Sequence, residues 1–160
     1  MPDPLKTPDP APVIRRVKPR DIDAISQIET ELFTDAWKPQ HFIDELDHNI
    51  AFFYAAEIPG NQPPPAIAGY ILFWMIEDTL ELHKIAVSSN YQKKGIGKQL
   101  FGFMLEKARE KKIKELFLEV RKSNIGAIKL YESFGFNAIA IRKDYYTEPC
   151  EDAIIYQLEM

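Results

Sequence analysis

The sequence predicts an α+β fold of about seven strands and about four helices. Three observations carry this expectation. The hydrophobic period switches repeatedly between two and 3.6 residues along the chain. Three apolar strands follow one another as a meander before the longest helical stripe begins, rather than alternating with helices. The 160 residues, 46% hydrophobic and 28% charged, suit a globular chain able to bury about 70% of its unfolded surface.

The elements follow in order. Val13 to Val17 is a short strand, and Ile22, Ile25, Ile28 and Leu32 then recur at helical spacing behind Pro19. Lys38 to Asp47 gives a second short helix with Pro39 in its first turn. Ala51 to Glu57 and Ala66 to Ile76 are apolar strands, and the cluster Pro59 to Pro65 between them, with Gly60 and Asn61, is expected to be an extended hairpin connection. Thr79 to Val87 is the third member of the meander. Ile96, Leu100, Phe103, Met104 and Ala108 lie on one helical stripe, and Lys111 to Lys114 complements the negative end of its dipole. Glu115 to Val120 returns to strand, Ile125 to Phe134 is a helix stopped by Gly135, and Phe136 to Arg142 and Ala153 to Leu158 are the last two strands. Five of the twelve prolines fall within residues 1–12, which are expected to form a disordered arm, leaving residues 13–160 as a single domain.

Charge and cysteine content exclude several function classes. Twenty Lys plus Arg against 24 Asp plus Glu leave a net charge of -4, so neither nucleic acid nor a membrane surface is an expected partner, and any polyanion must be met by a local basic patch. The longest apolar stretch, Ile67 to Ile76, is too short to span a bilayer. A single cysteine, Cys150, forbids an internal disulfide, and without a charged-then-apolar leader the expected compartment is the reducing cytoplasm. No metal is expected: His41 and His48 are seven residues apart, His83 is isolated, and Cys150 lacks a partner at ligand spacing.

The most informative segment runs from Val87 through Ser-Ser-Asn-Tyr-Gln-Lys-Lys-Gly-Ile-Gly-Lys into an amphipathic helix. First-turn amides lack intrahelical partners and carry the positive end of the dipole, and Gly95 and Gly97 let an anion approach the backbone without a Cβ in the way. Lys93, Lys94 and Lys98 add local charge. A Walker loop would need glycine at Gln92 and Ser or Thr at Gln99, and a dinucleotide loop would need a small residue at Leu100, so both fail. The plain alternative is a strand-to-helix turn with solvated lysines.

What remains, Gln92-x-x-Gly95-x-Gly97, resembles the pyrophosphate loop of the GNAT acetyltransferases, which bind acetyl-coenzyme A at a splayed sheet. Leu118-Glu119-Val120-Arg121-Lys122-Ser123-Asn124, then Leu130-Tyr131-Glu132-Ser133-Phe134-Gly135-Phe136, resembles the second half of that family. Asp144-Tyr145-Tyr146 and Glu151-Asp152-Ala153-Ile154-Ile155 look like signatures of its RimI-type branch, which acetylates the N-terminal alanine of a small-subunit ribosomal protein. The resemblance runs from about Val13 to the C-terminus and is strongest from Ile85 onward. It implies a mixed, mostly antiparallel seven-stranded sheet flanked by about four helices, with acetyl-CoA as co-substrate and a protein N-terminal peptide as acceptor. It further implies that Glu119 is the general base, Tyr131 the general acid, and that Ile85, Ala86, Val87, Gln92, Lys93, Lys94, Gly95, Ile96, Gly97, Lys98, Asn124 and Tyr131 hold the co-substrate. Within the family the acceptor could instead be a lysine side chain or a small-molecule amine; outside enzymes, the chain could be a non-catalytic acyl-CoA-binding regulator.

Chemistry supports these residue types independently. Acyl transfer from a thioester needs a neutral amine, a stabilised carbonyl oxygen and a proton for the departing thiolate. An α-amine of pKa about 7.8 costs roughly 1 kcal/mol to deprotonate at pH 7, whereas a lysine amine near 10.4 costs roughly 4.6 kcal/mol, so one carboxylate suffices for the former. Leu116, Leu118 and Val120 alternate to one face of their strand, which puts Glu119 on the other with Phe117 and Arg121. The bland reading there is an exposed carboxylate paired with Arg121 or a cross-strand cation. His83 is the rival base, with a packed strand histidine as its default. Tyr131 is a plausible proton donor to a thiolate, or a helix tyrosine packed on the core. Asn124 can cap the helix, hold the co-substrate, or both.

Three departures from the branch pattern stand out. Phe33-Thr34-Asp35-Ala36-Trp37 replaces the usual Phe-Pro-Trp, implying a differently shaped acceptor mouth. Lys84 stands where asparagine commonly precedes Ile-Ala-Val, and Gly126 replaces a helix alanine at a cost of about 1 kcal/mol. Tyr145 and Tyr146 are expected in a loop, either flanking the acceptor peptide or capping the sheet.

Overall fold

The computed structural model describes residues 10–60 and 63–160. Most of the expected N-terminal arm, and Asn61 and Gln62 of the proline connection, lie outside the described residues. The strands are β1 (Val13–Arg16), β2 (Ala51–Ile58), β3 (Ala66–Ile76), β4 (Thr79–Val87), β5 (Glu115–Arg121), β6 (Asn137–Thr147) and β7 (Cys150–Glu159). The helices are α1 (Ile22–Leu32), α2 (Pro39–Leu46), α3 (Ile96–Glu110) and α4 (Ile125–Ser133), with short 3-10 turns at Pro19–Asp21 and Ser89–Tyr91. One sheet runs in the order β1-β2-β3-β4-β5-β7-β6, antiparallel everywhere except between β4 and β5. The expected α+β class, with a mixed, mostly antiparallel seven-stranded sheet and four helices, is therefore borne out.

Strand alternation sorts the core into two layers. Tyr54, Ala56, Ile71 and Phe73 join Leu100, Phe101 and Met104 of α3 on one face. Phe53, Ala55, Tyr70 and Leu72 join Ile25 and Ile28 of α1 and Phe42 of α2 on the other. Because helices cover both faces, β3 must be apolar at successive positions, which explains its near-continuous hydrophobic run. At Gly69 the close approach of backbones is severe: a Cβ there would stand 2.6 Å from the carbonyl oxygen of Ala86.

Two boundaries differ from expectation by three residues or more. The strand expected to end at Arg142 continues to Thr147, and the last strand begins at Cys150 rather than Ala153. Tyr145 and Tyr146 therefore belong to β6 and not to a loop. The reason is a bulge: register slips between Arg142/Ala153 and Tyr146/Glu151, and Asp144, at φ 52°, donates its amide to Asp152. Extra residues break the two-residue alternation, and β6 is exposed almost throughout, so no apolar periodicity marks it.

Candidate active site

The parallel rungs between β4 and β5 run from Thr79/Glu115 to Leu82/Leu118 and end there, although β4 continues to Val87 and β5 to Arg121. Between these unpaired ends lies a cavity of about 790 Å³, walled by Ile85, Ala86 and Val87 on one side and Glu119, Val120 and Arg121 on the other. A strand end without a neighbour offers its amides and carbonyls to whatever occupies the gap.

The loop after β4 forms one end of the cavity. Ser88 donates its amide to Ala68 O (2.7 Å), and Gln92 Nε2 donates to Val87 O (3.0 Å), folding the loop back on the strand. Gly95 is the N-cap of α3 at φ 82°, a conformation that a side chain disfavours by about 1 kcal/mol or more. The first helical bond runs from Gln99 N to Gly95 O, so the amides of Ile96, Gly97 and Lys98 precede it. Gln92, Lys93, Gly95, Ile96 and Gly97 line the cavity; Lys94 packs over the Tyr91 ring at 5.4 Å, and Lys98 is exposed on the first turn of α3, both outside the lining.

From the other side α4 contributes Asn124 and Tyr131. The Asn124 side chain accepts from Ala127 N (3.2 Å), so it caps the helix while also lining the cavity. Tyr131 lies two turns further on, 5% exposed, with its ring 5.4 Å from Phe101 and 6.4 Å from Phe136 and Tyr156. It is both a core residue and part of the cavity wall. Burial, with Tyr146 nearby, holds its phenol well above the ordinary value, so it carries its proton throughout the neutral range.

Glu119 faces away from the buried Leu118 and Val120, as the alternation requires. Its Oε1 accepts from Arg142 Nη1 at 2.7 Å, and Tyr145 also hydrogen-bonds to it. The cation beside Glu119 is thus Arg142 of β6, reaching across β7, and not Arg121. Arg121 instead joins three elements. Its Nη1 donates to Glu151 (3.1 Å) and to Pro149 O (3.2 Å), its Nη2 is 3.3 Å from Asp35, and its guanidinium lies 4.0 Å over the Tyr146 ring. Burial first, then the Glu119 charge, pushes the Tyr146 phenol up to about 12. Thr34 Oγ1 donates to Glu148 O (2.8 Å), so the segment that replaces Phe-Pro-Trp meets the β6–β7 turn across the mouth of the cavity.

Lys84 acquires a structural explanation. Its ammonium is 2.6 Å from Oε1 of Glu29, a fully buried carboxylate on α1, and lies over the rings of Phe33 (4.7 Å) and Trp37 (5.1 Å). Glu29 also accepts from Tyr70 OH and from Trp37 N (3.1 Å). This network ties the α1–α2 segment to β4 beside the cavity. Neither it nor Arg142 was legible in the sequence, because each pairing joins residues tens of positions apart with no shared spacing. Among the described residues, no group of three His, Cys, Asp or Glu is placed to hold a metal ion, and no helix is long and apolar enough to cross a membrane.

Comparison with known proteins agrees with this geometry. The model of the Acetyltransferase (GNAT) family matches residues 22–136. A Bacillus subtilis relative is 36% identical over 143 residues, 89% of this chain and 91% of its own length. The ribosomal protein bS18-alanine N-acetyltransferase of Escherichia coli K12 is 31% identical over 147 residues, 91% of this chain and 95% of that protein. The crystal structure of the E. coli ribosomal-protein-S18-alanine N-acetyltransferase superposes with a TM-score of 0.81 at 31% identity, covering 92% of this chain and 93% of that one. Arabidopsis thaliana NAA60, solved in complex with acetyl-CoA, shares the fold with a TM-score of 0.83 at 16% identity over 93% of this chain and 99% of that one. With a matching family model, relatives above 30% identity matched over more than nine-tenths of their length, and the same fold, the chain belongs to the acetyltransferase (GNAT) family and is an acyltransferase.

Proposed function

We propose that residues 13–160 act as one domain that transfers acetyl from acetyl-CoA to the N-terminal α-amine of an alanine-starting ribosomal protein of the bS18 type, and with it a cytoplasmic location. The observation that carries this reading is the convergence of Glu119, Tyr131 and the 92–97 loop on one cavity at the sheet's splay. The acceptor is taken from relatives that match over nearly their whole length and act on that class of protein.

The residues present fit the co-substrate. An anionic pyrophosphate suits the free first-turn amides of α3 and Lys93, and no heavy atom lies within 4 Å of where a Gly95 Cβ would project. The extended backbone of Ile85 to Val87 suits pantetheine, a chain of amides, and supplies an amide for the thioester oxygen. Glu119 accepts the proton of the incoming ammonium, directly or through one water, so that nitrogen can bond to the acyl carbon. Tyr131 gives its proton to sulfur as the carbon–sulfur bond breaks. A phenol is a weaker acid than a thiol, so it acts only as charge builds on sulfur. No covalent enzyme intermediate is required.

The test is acetylation of synthetic peptides that begin with the mature bS18 N-terminus, read by mass spectrometry for α- against ε-acetyl groups. The expected outcome is one α-acetyl group per peptide, with turnover in Glu119→Gln reduced about 10²- to 10⁴-fold and acetyl-CoA binding retained. Modification of lysine side chains alone would overturn the acceptor, and an unchanged Glu119→Gln enzyme would remove Glu119 from the mechanism.

A further inference from the structure

His83 occupies a position that its sequence neighbourhood does not announce. In the β3–β4 ladder Phe73 pairs with Leu82, yet the next residue of β3, Leu72, pairs with Lys84. His83 is therefore the extra residue of a bulge, a device that re-aims a side chain. Leu82 and Leu118 form the last rung between β4 and β5. His83 and Glu119 are the first residues beyond that rung, one on each strand, where neighbouring strands start about 4.8 Å apart. Both line the cavity.

The imidazole is fixed in place at the cavity wall. Its ring lies 4.3 Å from Trp74, which is itself held by a hydrogen bond from Nε1 to Glu45 (2.8 Å) and by stacking on His48 (4.9 Å). Nε2 is buried, with Glu81 Oε2 3.7 Å away, while the side chain as a whole stays 25% exposed.

The reaction offers a second proton to accept. An α-ammonium releases two protons on its way to an amide, one before nitrogen attacks the acyl carbon and one as the amide forms, while the departing sulfur takes its proton from Tyr131. Glu119 already accepts from Arg142 and Tyr145. We propose that His83 is a second catalytic base, its imidazole taking one of the two protons that the acceptor amine releases while Glu119 takes the other; the Tyr131 phenolate left after sulfur is protonated is restored from solvent. This inference rests on the amine-acetylating function proposed above.

The charged groups facing His83 are Glu81 on its own strand, Glu45 of α2 and Glu119 of β5. Each favours the imidazolium, but burial outweighs them and holds the group below its ordinary 6.5. The imidazole is therefore neutral at pH 7. Activity that depends on it is full above the ordinary value and is lost as pH falls through the lowered one.

The experiment compares the wild-type chain with His83→Gln and His83→Phe, using the alanine-starting peptide from pH 5 to 9. The thermal shift produced by acetyl-CoA serves as the check on folding and on that half of the site. His83→Phe keeps a ring against Trp74, so a loss common to both variants reports chemistry rather than packing. The expected result is a kcat lowered about tenfold or more in both, an unchanged acetyl-CoA shift, and loss of the component of the acid limb centred below 6.5, a component that Glu119→Gln retains. Wild-type kcat and an unaltered acid limb in either variant would overturn the proposal. Failure of the wild type itself to acetylate any amine, with its acetyl-CoA shift intact, would instead strike the functional reading and this inference with it.

Discussion

Burial at Tyr131 serves packing and acid chemistry together. The ring fills a gap between Phe101, Phe136 and Tyr156, and the same low-polarity surroundings keep its phenol protonated well past neutrality. A donor whose value is raised cannot lose its proton within the working range, so Tyr131 should impose no alkaline limb below pH 10. In Tyr131→Phe, kcat is expected to fall about 10²-fold, with the shape of the profile between pH 7 and pH 10 preserved. Steady-state rates across that range check it, and a new or lost alkaline limb would contradict the assignment. Glu119 shows the opposite environment. It is half-exposed and paired with Arg142, so its role depends on where β5 places it.

The junctions of β4 carry much of the site's precision. Lys84 sits 2.6 Å from the fully buried Glu29, and Lys84→Met would leave that carboxylate without its cation. Breaking a buried pair from one side costs about 3 to 5 kcal/mol; Lys84→Met should lose about that much by denaturant unfolding, and Glu29→Gln added to it should recover a substantial part. Recovery identifies an orphaned charge as the cause, whereas two losses that simply add would exclude it. At the other junction, Gly69 faces Val87 across the ladder. Gly69→Ala places a methyl group against the Ala86 carbonyl, so it is expected to cost about 1 to 3 kcal/mol by thermal unfolding. It should also weaken acetyl-CoA binding by displacing the strand end that walls the cavity.

Over the whole molecule the charge distribution is uneven. The net charge of -4 disfavours polyanions in general, while Lys93, Lys94 and Lys98 gather at the start of α3. Acetyl-CoA at 100 times its dissociation constant should stabilise the fold by about 2.7 kcal/mol, which for a chain of this size raises the melting temperature by roughly 5 to 10 °C. Added salt should reduce that shift by screening the exposed lysines. A shift absent at every acetyl-CoA concentration would count against the co-substrate site.

Local periodicity determined most elements. The helix beginning at Ile22, the strands Ala66 to Ile76 and Thr79 to Val87, and the helix beginning at Ile96 start or end where period, proline and glycine place them. The order of residues around Gly95 likewise pointed to an anion-binding helix start and to the family, because both depend on neighbours a few positions apart. Tertiary structure alone decided that β4 and β5 part after Leu82 and Leu118, that Arg142 rather than Arg121 meets Glu119, that Glu29 receives Lys84, and that His83 is the extra residue of a bulge beside the cavity. The physical reason is range. Helical and strand periods are set by covalent geometry within a few residues, whereas register, bulges and buried ion pairs are settled only when distant segments compete for the same space and the same hydrogen bonds.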